Sequence, residues 1–386
     1  MKVFVIDNVH LYKDIKGDYY SPSIYDDRFF DRFSDVFQEV YFCAKINYIP
    51  NIESTKFIKI QRKDIIIVEL PWFRGLKGLL LNYLKVRSVI RRFMKKTDVC
   101  IFRSVQVESL IGYMNRQKKP FIIELVNDPR EYFNGIFRFV SLFYLKRMIK
   151  NAVGVSYITK NILQSKYPIR GNNKITESYL TIDIDDNLLS KPRIYPDTIK
   201  EFKLIHIANN IESDSKGHST VINAVNHVIK NGYKVSVRFI GEGSFVKYYS
   251  EMAESLNIKD YVHFIGRIHD KNKIYHELLS ADLFIFPTHH EGLGRVNLEA
   301  QVCGLPCLAS PVGGVVELYD MKYLINPYDY QSYGNKIIEL INNPKELDRM
   351  SLENIENVKQ YLKSKNYSKR HDFYIKFKSI VEFPTT

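Results

Sequence analysis

Short runs of apolar residues alternate along the chain with longer stretches in which apolar positions recur at helical spacing. The first half carries six such runs, each predicted to be a strand: Lys2–Ile6, Val40–Cys43, Ile65–Val68, Val99–Phe102, Phe121–Leu125 and Gly154–Tyr157. Continuous apolar runs of this length are typical of strands buried on both faces, as in a parallel sheet covered by helices. In such a sheet, ligands bind at the carboxyl ends of the strands.

The pattern pauses between residues 179 and 201, where Asp, Asn, Ser and Pro cluster without apolar periodicity. It resumes with five further predicted strands: Phe202–Ile207, Ser236–Ile240, His263–Ile265, Leu283–Phe286 and Cys307–Ala309. A chain of 386 residues also exceeds what one hydrophobic core usually organises. The α/β alternation therefore predicts two Rossmann-like, doubly wound domains, over residues 1–185 and 200–365, joined by a linker.

The C-terminal stretch, residues 344–383, has apolar positions at helical spacing and an interruption near Asn366. We predict that the last segment, residues 366–386, is a separate helix. Two placements are open for it, because it either caps the second domain or crosses back to the first.

Charge and cysteine usage narrow the class of protein. Lys and Arg number 56 against 43 Asp and Glu, a formal charge of +13, so the surface attracts phosphates, nucleic acid or anionic lipid. Nucleic-acid binding is disfavoured because the charge is spread along the chain and no recognition module is present. The four cysteines are too sparse for a disulfide scaffold, and no signal peptide or spanning apolar stretch is evident. These features predict a cytoplasmic protein, lying at the inner face of the membrane if it contacts one.

The most informative segment is Leu283–Ala300, in which a strand ends at Pro287, a glycine-bearing turn follows and a helix begins near Gly294. The start of a helix presents unpaired N–H groups and a partial positive charge, so a diphosphate can bind there, and glycines allow close backbone approach. Glu291 precedes the turn, and Glu299 lies eight positions further on, inside the helix. One carboxylate is thus placed to meet a sugar hydroxyl and the other to meet a ribose.

Two glutamates with seven residues between them make this segment similar to the retaining glycosyltransferases of family 4, which have the GT-B fold of two Rossmann-like domains facing a cleft. The other residues that carry the resemblance are Lys216-Gly217, Ile240–Gly243, Val262–Gly266, Ala300, Gly304, Pro306 and Ser310–Gly314. The similarity covers most of residues 202–320. In the N-terminal half, Ile123–Pro129 resembles members that act on capsular or other bacterial polysaccharides.

The resemblance implies a role for each matching residue. Glu291 would hold hydroxyls of the donor sugar, and Glu299 would bind the nucleotide ribose. The backbone that would face the diphosphate is that of Gly292, Leu293, Gly294 and Arg295. Lys216 would neutralise the departing diphosphate, because a positive point charge stabilises negative charge that grows as the glycosidic bond breaks. Transfer in this fold needs no divalent metal, so we expect no metal and no cofactor besides the nucleotide-sugar substrate.

One departure from the family pattern concerns the phosphate site. The family usually has an arginine six residues before the lysine, and this chain has Asn210 there, so one positive charge is missing. Arg295 stands where the family usually has an aliphatic residue, in the turn that should face the phosphates. We hypothesise that Arg295 supplies the missing charge.

A second departure lies in the first domain, where many relatives carry a histidine at the cleft. Here Asp128 follows the strand that begins at Phe121. Two interpretations are open: Asp128 positions or deprotonates the acceptor hydroxyl, or it caps the turn before Pro129. His10 and the loop Gly17–Ser21 are further candidates at the cleft.

Two segments, residues 71–96 and 133–150, combine aromatic, aliphatic and basic residues. Such segments bind anionic lipid through buried apolar area and through electrostatic attraction of about 1 kcal/mol per nearby Lys or Arg. The other interpretation is an ordinary amphipathic helix packed on the sheet. Peripheral membrane contact would suit acceptors that are carried on a lipid.

These observations predict a retaining, metal-independent glycosyltransferase of the hexosyltransferase type. It would move a sugar from a nucleotide-sugar donor to a saccharide or lipid-linked saccharide acceptor in surface polysaccharide biosynthesis, such as that of a capsule. The alternative is a nucleotide-sugar-binding protein without transferase activity, which the asparagine at position 210 motivates. A dehydrogenase is disfavoured because no G-x-G-x-x-G turn follows the first strand.

Overall fold

A computed structural model describes residues 1–22, 25–50, 57–132, 135–180 and 183–383, without the side chains of residues 76, 131 and 132. The chain divides into two compact units. The first unit comprises Met1–Ile182 and Asn366–Thr386, and the second comprises Asp183–Lys365. The segment that the sequence analysis treated as a linker therefore belongs to the second unit.

Over the described residues, the first unit contains one nine-stranded sheet. Its strands are β1 (Lys2–Lys13), β2 (Tyr19–Ser21), β3 (Glu39–Tyr48), β4 (Ile58–Ile60), β5 (Ile65–Pro71), β6 (Val99–Arg103), β7 (Phe121–Leu125), β8 (Gly154–Tyr157) and β9 (Ile175–Ser178). β3 and β6 both pair in parallel with β1, β5 pairs with β3, and β7, β8 and β9 follow β6 in parallel. The six predicted strands lie within these elements. The sheet is not wholly parallel, because β1 runs on to Lys13 and pairs there with the antiparallel strand β2, which in turn pairs antiparallel with β4.

Helices cover both faces of this sheet. They are α1 (Asp27–Ser34), α2 (Gly75–Met94), α3 (Val107–Asn115), α4 (Pro129–Tyr132), α5 (Gly135–Asn151) and α6 (Ile162–Lys166). Successive side chains of a strand point to opposite faces, so Phe4 and Ile6 pack against α2, α3 and α5, whereas Val3 and Val5 pack against α1. Among the described residues, no helix is long and apolar enough to cross a bilayer.

The second unit, which is described throughout, is built on a parallel sheet of five strands. These are β10 (Phe202–Asn210), β11 (Val235–Glu242), β12 (Val262–Gly266), β13 (Leu283–Phe286) and β14 (Cys307–Ala309). The helices are α7 (His218–Lys230), α8 (Val246–Ser255), α9 (Lys271–Ser280), α10 (Arg295–Val302), α11 (Tyr330–Asn342) and α12 (Pro344–Val358). The spatial order β12-β11-β10-β13-β14 reverses direction at β10. Ligands of doubly wound sheets bind at the carboxyl ends of the strands at such a reversal.

The last helix, α13 (Lys363–Glu382), follows a break at residues 359–362. This break lies a few residues before the interruption predicted near Asn366, and Asn366 itself lies within the helix. Its side-chain amide donates to the carbonyl of Leu180 (3.1 Å) and accepts from the N–H of the same residue (2.6 Å). The Asn366 side chain thus binds a backbone segment that is distant in the sequence, and it does not mark the end of a helix.

A buried ionic network connects α13 with the sheet of the first unit. The Glu124 carboxylate accepts hydrogen bonds from the hydroxyls of Tyr374, on α13, and Tyr179, and it pairs with Arg103 at 2.8 Å. Arg103 also pairs with Asp7 at 2.9 Å. Burial alone would raise the pKa of Glu124, but the nearby guanidinium groups and the tyrosine hydroxyls lower it below its usual range. Buried charges that are paired in this way are compatible with the core, whereas an unpaired one is strongly destabilising.

Two buried histidines lie at the centre of the second unit. His206 on β10 and His218 at the start of α7 have ring centroids 4.5 Å apart, and His218 also stacks on Phe239 and Tyr249. Burial lowers the pKa of His206 to about 4 and the pKa of His218 to about 2. Both imidazoles are therefore neutral in the folded unit at neutral pH.

We expect the free energy of unfolding to fall as the pH falls below about 6.5, because the unfolded chain then takes up protons that the folded unit excludes. Each histidine contributes at most about 1.4 kcal/mol per pH unit, and this stability is fully present above the unfolded pKa. Urea unfolding of wild type and His218→Phe at about pH 7 and pH 5 tests this. Between these pH values, we expect the free energy of unfolding to fall less in His218→Phe than in wild type. His263→Phe, at an exposed position, is the matched control. Equal losses in wild type and His218→Phe would contradict the assignment.

Candidate active site

The candidate site lies at the carboxyl ends of β10 and β13, which are neighbouring parallel strands. The loop of residues 211–217 leads from β10 to α7, and the loop of residues 287–294 leads from β13 to α10. Hydrogen bonds join the two loops, because the His289 N–H (2.9 Å) and the Thr288 hydroxyl (3.3 Å) both donate to the Ser215 carbonyl. The two segments that carry the predicted site residues of this unit are therefore in contact.

Lys216 and Glu291 lie 75 positions apart in the sequence and form an ion pair. The Lys216 Nζ is 2.7 Å from Oε2 of Glu291, and Oε1 of the same carboxylate accepts from the Gly292 N–H at 3.1 Å. Their side chains remain 28% and 23% exposed. A partly exposed pair of this kind contributes at most about 1 kcal/mol to stability. Its main effect is to hold an ammonium and a carboxylate side by side, both within reach of a ligand.

Glycines allow the loops around Glu291 to pack backbone against backbone. Gly217 has φ 74°, and a Cβ there would lie 2.1 Å from the Pro287 carbonyl oxygen. Gly313 has φ 48°, and a Cβ there would lie 1.7 Å from the Glu291 carbonyl oxygen. No side chain fits at either position, and L residues are also strained at these φ values. Leu293 and Gly294 are buried, whereas Gly292 is partly exposed.

Arg295 and Glu299 lie one helical turn apart at the start of α10, whose N-cap is Gly294. The Arg295 Nε is 2.7 Å from Oε1 of Glu299. Burial raises the pKa of Glu299, and the cations Arg295 and Lys271 oppose this rise. Arg295 therefore holds the carboxylate that was predicted to bind the ribose. Its predicted contact with the diphosphate remains a hypothesis.

A cation that the sequence analysis missed lies beside Asn210. The guanidinium of Arg267 donates to Oδ1 of Asn210 at 2.6 Å and to the Asn209 carbonyl at 2.9 Å. Its Nε is 3.1 Å from Oε1 of Glu242. Sheet topology explains this cluster, because β10, β11 and β12 are adjacent and their carboxyl ends share one edge. The only sequence signal was that Arg267 lies two positions after the end of the predicted strand His263–Ile265.

Asp128 lies in the first unit and has several hydrogen-bond partners. Its carboxylate accepts from the backbone N–H of Arg130 (3.0 Å), the hydroxyl of Tyr167 (2.5 Å) and the ammonium of Lys166 (3.0 Å). Burial would raise the pKa of Asp128, but these hydrogen bonds lower it below its usual range. A general base works best when its pKa lies near the working pH. The contacts thus favour the interpretation of Asp128 as a cap before Pro129 over that of a base.

His289 and His290 lie in the loop between β13 and α10, directly before Glu291. The ring of His289 packs on Tyr328, with centroids 4.4 Å apart. Within the described part of the chain, no group of three or more His, Cys, Asp or Glu residues is arranged to hold a metal ion.

Comparison with known proteins shows what this fold and site are similar to. Residues 197–357, which span the loops of the site, match the family described as "Glycosyl transferases group 1". The chain therefore resembles the group 1 glycosyltransferases in its second unit, and its fold is that of the GT-B structures described below.

The relatives with matching sequences include two proteins of Staphylococcus aureus. Protein CapJ is 26% identical over 387 residues, which cover 97% of this chain and 94% of CapJ. The capsular polysaccharide biosynthesis glycosyltransferase CapM is 22% identical over 268 residues, 66% of this chain and 64% of CapM. The first match extends over both units, whereas the family match is confined to the second.

Solved structures show the same fold at low identity. Anabaena Alr3699/HepE, in a complex with UDP-glucose, superposes with a TM-score of 0.68 at 17% identity over 98% of this chain and 99% of that chain. Sucrose-phosphate synthase from Thermosynechococcus elongatus superposes with a TM-score of 0.67 at 14% identity over 97% and 98%.

If Arg295 contributes positive charge to the diphosphate site, Arg295→Ala should lower kcat by at least about tenfold, and Lys216→Ala by about 100-fold or more. Steady-state kinetics with a nucleotide-sugar donor measure both effects. Lys247→Ala removes the same charge from an exposed position on α8 and should leave kcat unchanged. Unchanged turnover in Arg295→Ala, together with loss of turnover in Lys216→Ala, would disprove the role of Arg295.

Proposed function

We propose that this protein is a retaining glycosyltransferase that moves a sugar from a nucleotide-sugar donor to a saccharide or lipid-linked saccharide acceptor during assembly of a capsular or similar surface polysaccharide. The observation that carries this proposal is the pairing of Lys216 with Glu291 beside the start of α10. The resemblance to CapJ and CapM supports the polysaccharide assignment. The HepE complex with UDP-glucose supports a uridine nucleotide as the donor.

The proposed chemistry follows from where charge develops. As the bond between the sugar and the diphosphate breaks, negative charge grows on the leaving oxygen, and preorganised positive groups lower the barrier. Lys216 supplies an ammonium, the backbone N–H groups at the start of α10 supply dipoles, and Arg267 lies at the same edge of the sheet. In this proposal Glu291 accepts hydroxyls of the donor sugar while Lys216 turns to the phosphate.

Glu299 is suited to bind the ribose of the donor. It lies on α10, two turns beyond Glu291 in the sequence, and its carboxylate is buried and oriented by Arg295. A carboxylate has about four lone-pair sites, so Glu299 can accept hydrogen bonds from hydroxyls while it pairs with Arg295. Binding the ribose at this depth would fix the diphosphate between Glu299 and the turn Gly292–Gly294.

The alternative function is nucleotide-sugar binding without transfer, which the asparagine at position 210 motivates. Arg267 argues against it, because its guanidinium contacts the Asn210 side chain. Positive charge is therefore present beside the position where the family usually has an arginine. Arg267 also forms an ion pair with Glu242, and a phosphate that binds Arg267 would have to displace this carboxylate.

A panel of UDP-, GDP- and ADP-sugars, with and without a lipid-linked saccharide extract, tests the proposed function through nucleotide release. We expect release with one nucleotide class, stimulation by the extract, and a decrease of about 100-fold or more in Glu291→Ala and Glu299→Ala. Glu254→Ala, at an exposed position, is the matched control. The anomeric configuration of the product, read by NMR, tests retention. Donor binding without release under every condition would support the alternative function instead.

We also propose that the first unit contacts an anionic membrane peripherally. α2 packs on the sheet through Val86 and Ile90, but it exposes Leu81 by 76%. α5 likewise exposes Ile136 by 72% and Phe139 by 74%. Exposed apolar side chains next to many Lys and Arg residues suit the interface of an anionic bilayer. There, burial of apolar area and electrostatic attraction to anionic lipid both contribute to the binding free energy.

Co-sedimentation with vesicles tests the membrane contact. We expect binding to vesicles that contain phosphatidylglycerol, weaker binding to pure phosphatidylcholine, and a decrease with rising salt. Replacing Ile136 and Phe139 together by Ser should reduce binding about tenfold or more, because each removes a large apolar side chain from the interface. The control is Leu352→Ser, at an exposed position of the second unit. Absence of binding to anionic vesicles at low salt would disprove the contact.

A further inference from the structure

A short turn carries Lys216 between β10 and α7. It spans Asp214–Lys216 and ends at Gly217, whose left-handed backbone (φ 74°) leads into the helix. The Lys216 ammonium contacts the Glu291 carboxylate at 2.7 Å and the His290 carbonyl at 3.4 Å, both in the neighbouring loop. Because this ion pair is partly exposed, it contributes little free energy. The position of the ammonium therefore depends on the contacts that hold the turn itself.

The Asp214 carboxylate connects the turn to the start of α7. Its Oδ1 accepts from the backbone N–H of Ser219 at 3.0 Å, and its Oδ2 accepts from the Ser219 hydroxyl at 2.5 Å. Ser219 is the second residue of α7, so the carboxylate also pairs one of the N–H groups that a helix start leaves without an intrahelical partner. The Asp214 carbonyl accepts from the Gly217 N–H at 2.8 Å. Lys216 lies inside the segment that these hydrogen bonds close.

Tyr249, on α8, provides a third donor to this carboxylate. Its hydroxyl donates to Oδ1 of Asp214 at 2.8 Å. Its ring is fully buried and stacks on the imidazole of His218, with centroids 5.1 Å apart and planes 17° from parallel. Burial and the hydrogen bond to Asp214 raise the pKa of the phenol, so it remains a donor at neutral pH. Tyr249 thus contacts the residues two positions before and two positions after Lys216.

The loop that carries Lys216 is held near α8 at both of its ends. At its beginning, the Ile211 carbonyl accepts from the N–H of Phe245, which directly precedes α8, at 3.0 Å. At the Lys216 end, Asp214 accepts from the Tyr249 hydroxyl. Removing this hydroxyl should therefore loosen the part of the loop next to Lys216 and leave its beginning in place.

We propose that Tyr249 is a positioning residue for Lys216, which it holds through the Asp214 carboxylate. The inference rests on the proposed transferase function and deepens it, because it names a residue that keeps the ammonium where negative charge grows. Electrostatic stabilisation depends on preorganised geometry, and a misplacement of about 1 Å can cost about 100-fold in rate. A buried phenol can in this way control turnover without contacting the substrate.

Hydrogen exchange tests the contact in the absence of any ligand. Tyr249→Phe removes the hydroxyl but keeps the ring that stacks on His218. We expect amide exchange of residues 214–219 to become about fivefold faster or more, as for the loss of one buried hydrogen bond, whereas β11 should be unaffected. Tyr333→Phe is the matched control, because Tyr333 is also fully buried and donates to the Ile325 carbonyl at 3.1 Å. Unchanged exchange of residues 214–219 in Tyr249→Phe would overturn the inference.

Steady-state kinetics distinguish positioning from a general loss of stability. Tyr249→Phe should lower kcat about tenfold and change the KM for the donor by less than about twofold, since the ammonium acts mainly as the bond breaks. Tyr333→Phe loses a similar buried hydrogen bond and should keep the wild-type kcat. In a Lys216→Ala background, Tyr249→Phe should change kcat by less than about twofold, because the group that it positions is absent.

The outcomes separate this inference from the proposed function. A tenfold decrease of kcat in both backgrounds would show that Tyr249 acts independently of Lys216, which overturns the inference while the transferase function stands. Equal decreases in Tyr249→Phe and Tyr333→Phe would also overturn it, because they report only general stability. If no donor turns over in the wild type, the proposed function fails, and the exchange of residues 214–219 still decides whether Tyr249 holds the Lys216 segment.

Discussion

The close approach of backbone segments around Glu291 is the constraint on which the candidate site depends. The loops after β10 and β13 and the segment at Gly313 approach one another so closely that a Cβ at Gly217 or Gly313 would overlap a carbonyl oxygen. This packing determines where the Glu291 carboxylate and the start of α10 lie relative to Lys216. The ion pair between the two side chains is too exposed to do this by itself, because such pairs contribute little free energy. Backbone packing positions the charges that the proposed mechanism uses.

Both units use the same edge of a parallel sheet, but with different side chains. In the second unit this edge collects cations and backbone N–H groups, which suit a diphosphate. In the first unit the ends of β3 and β5 line a cavity together with Trp72 and one side of α2, and Lys85 is among the residues that line it. The two edges therefore differ in their side chains although the strands end in the same way. The sheets themselves provide a rigid frame with equivalent edges.

Two buried carboxylates, Glu124 and Glu299, differ in their partners and in their expected roles. In the first unit, Glu124 has partners on both oxygens, from Arg103, Tyr179 and Tyr374, and it anchors α13 to the sheet. Glu299 pairs with Arg295, and burial raises its pKa although the cations Arg295 and Lys271 oppose this rise. Perturbed pKa values of this kind are more common at functional sites, so Glu299 is a candidate for ligand binding.

The sequence by itself determined the eleven predicted strands, the two-unit α/β architecture and the strand-turn-helix that carries Glu291 and Glu299. These features are local, because apolar periodicity and glycine-bearing turns act over a few neighbouring residues. Only the tertiary structure decided that the short strand β2 pairs with the end of β1 and with β4. It also decided that Asp128 accepts hydrogen bonds from Tyr167 and Lys166, and that Arg267 lies beside Asn210. Each of these depends on contacts between residues far apart in the chain. Spacing along the sequence does not encode such contacts, because sheet order and loop packing arise only when the separate strands assemble.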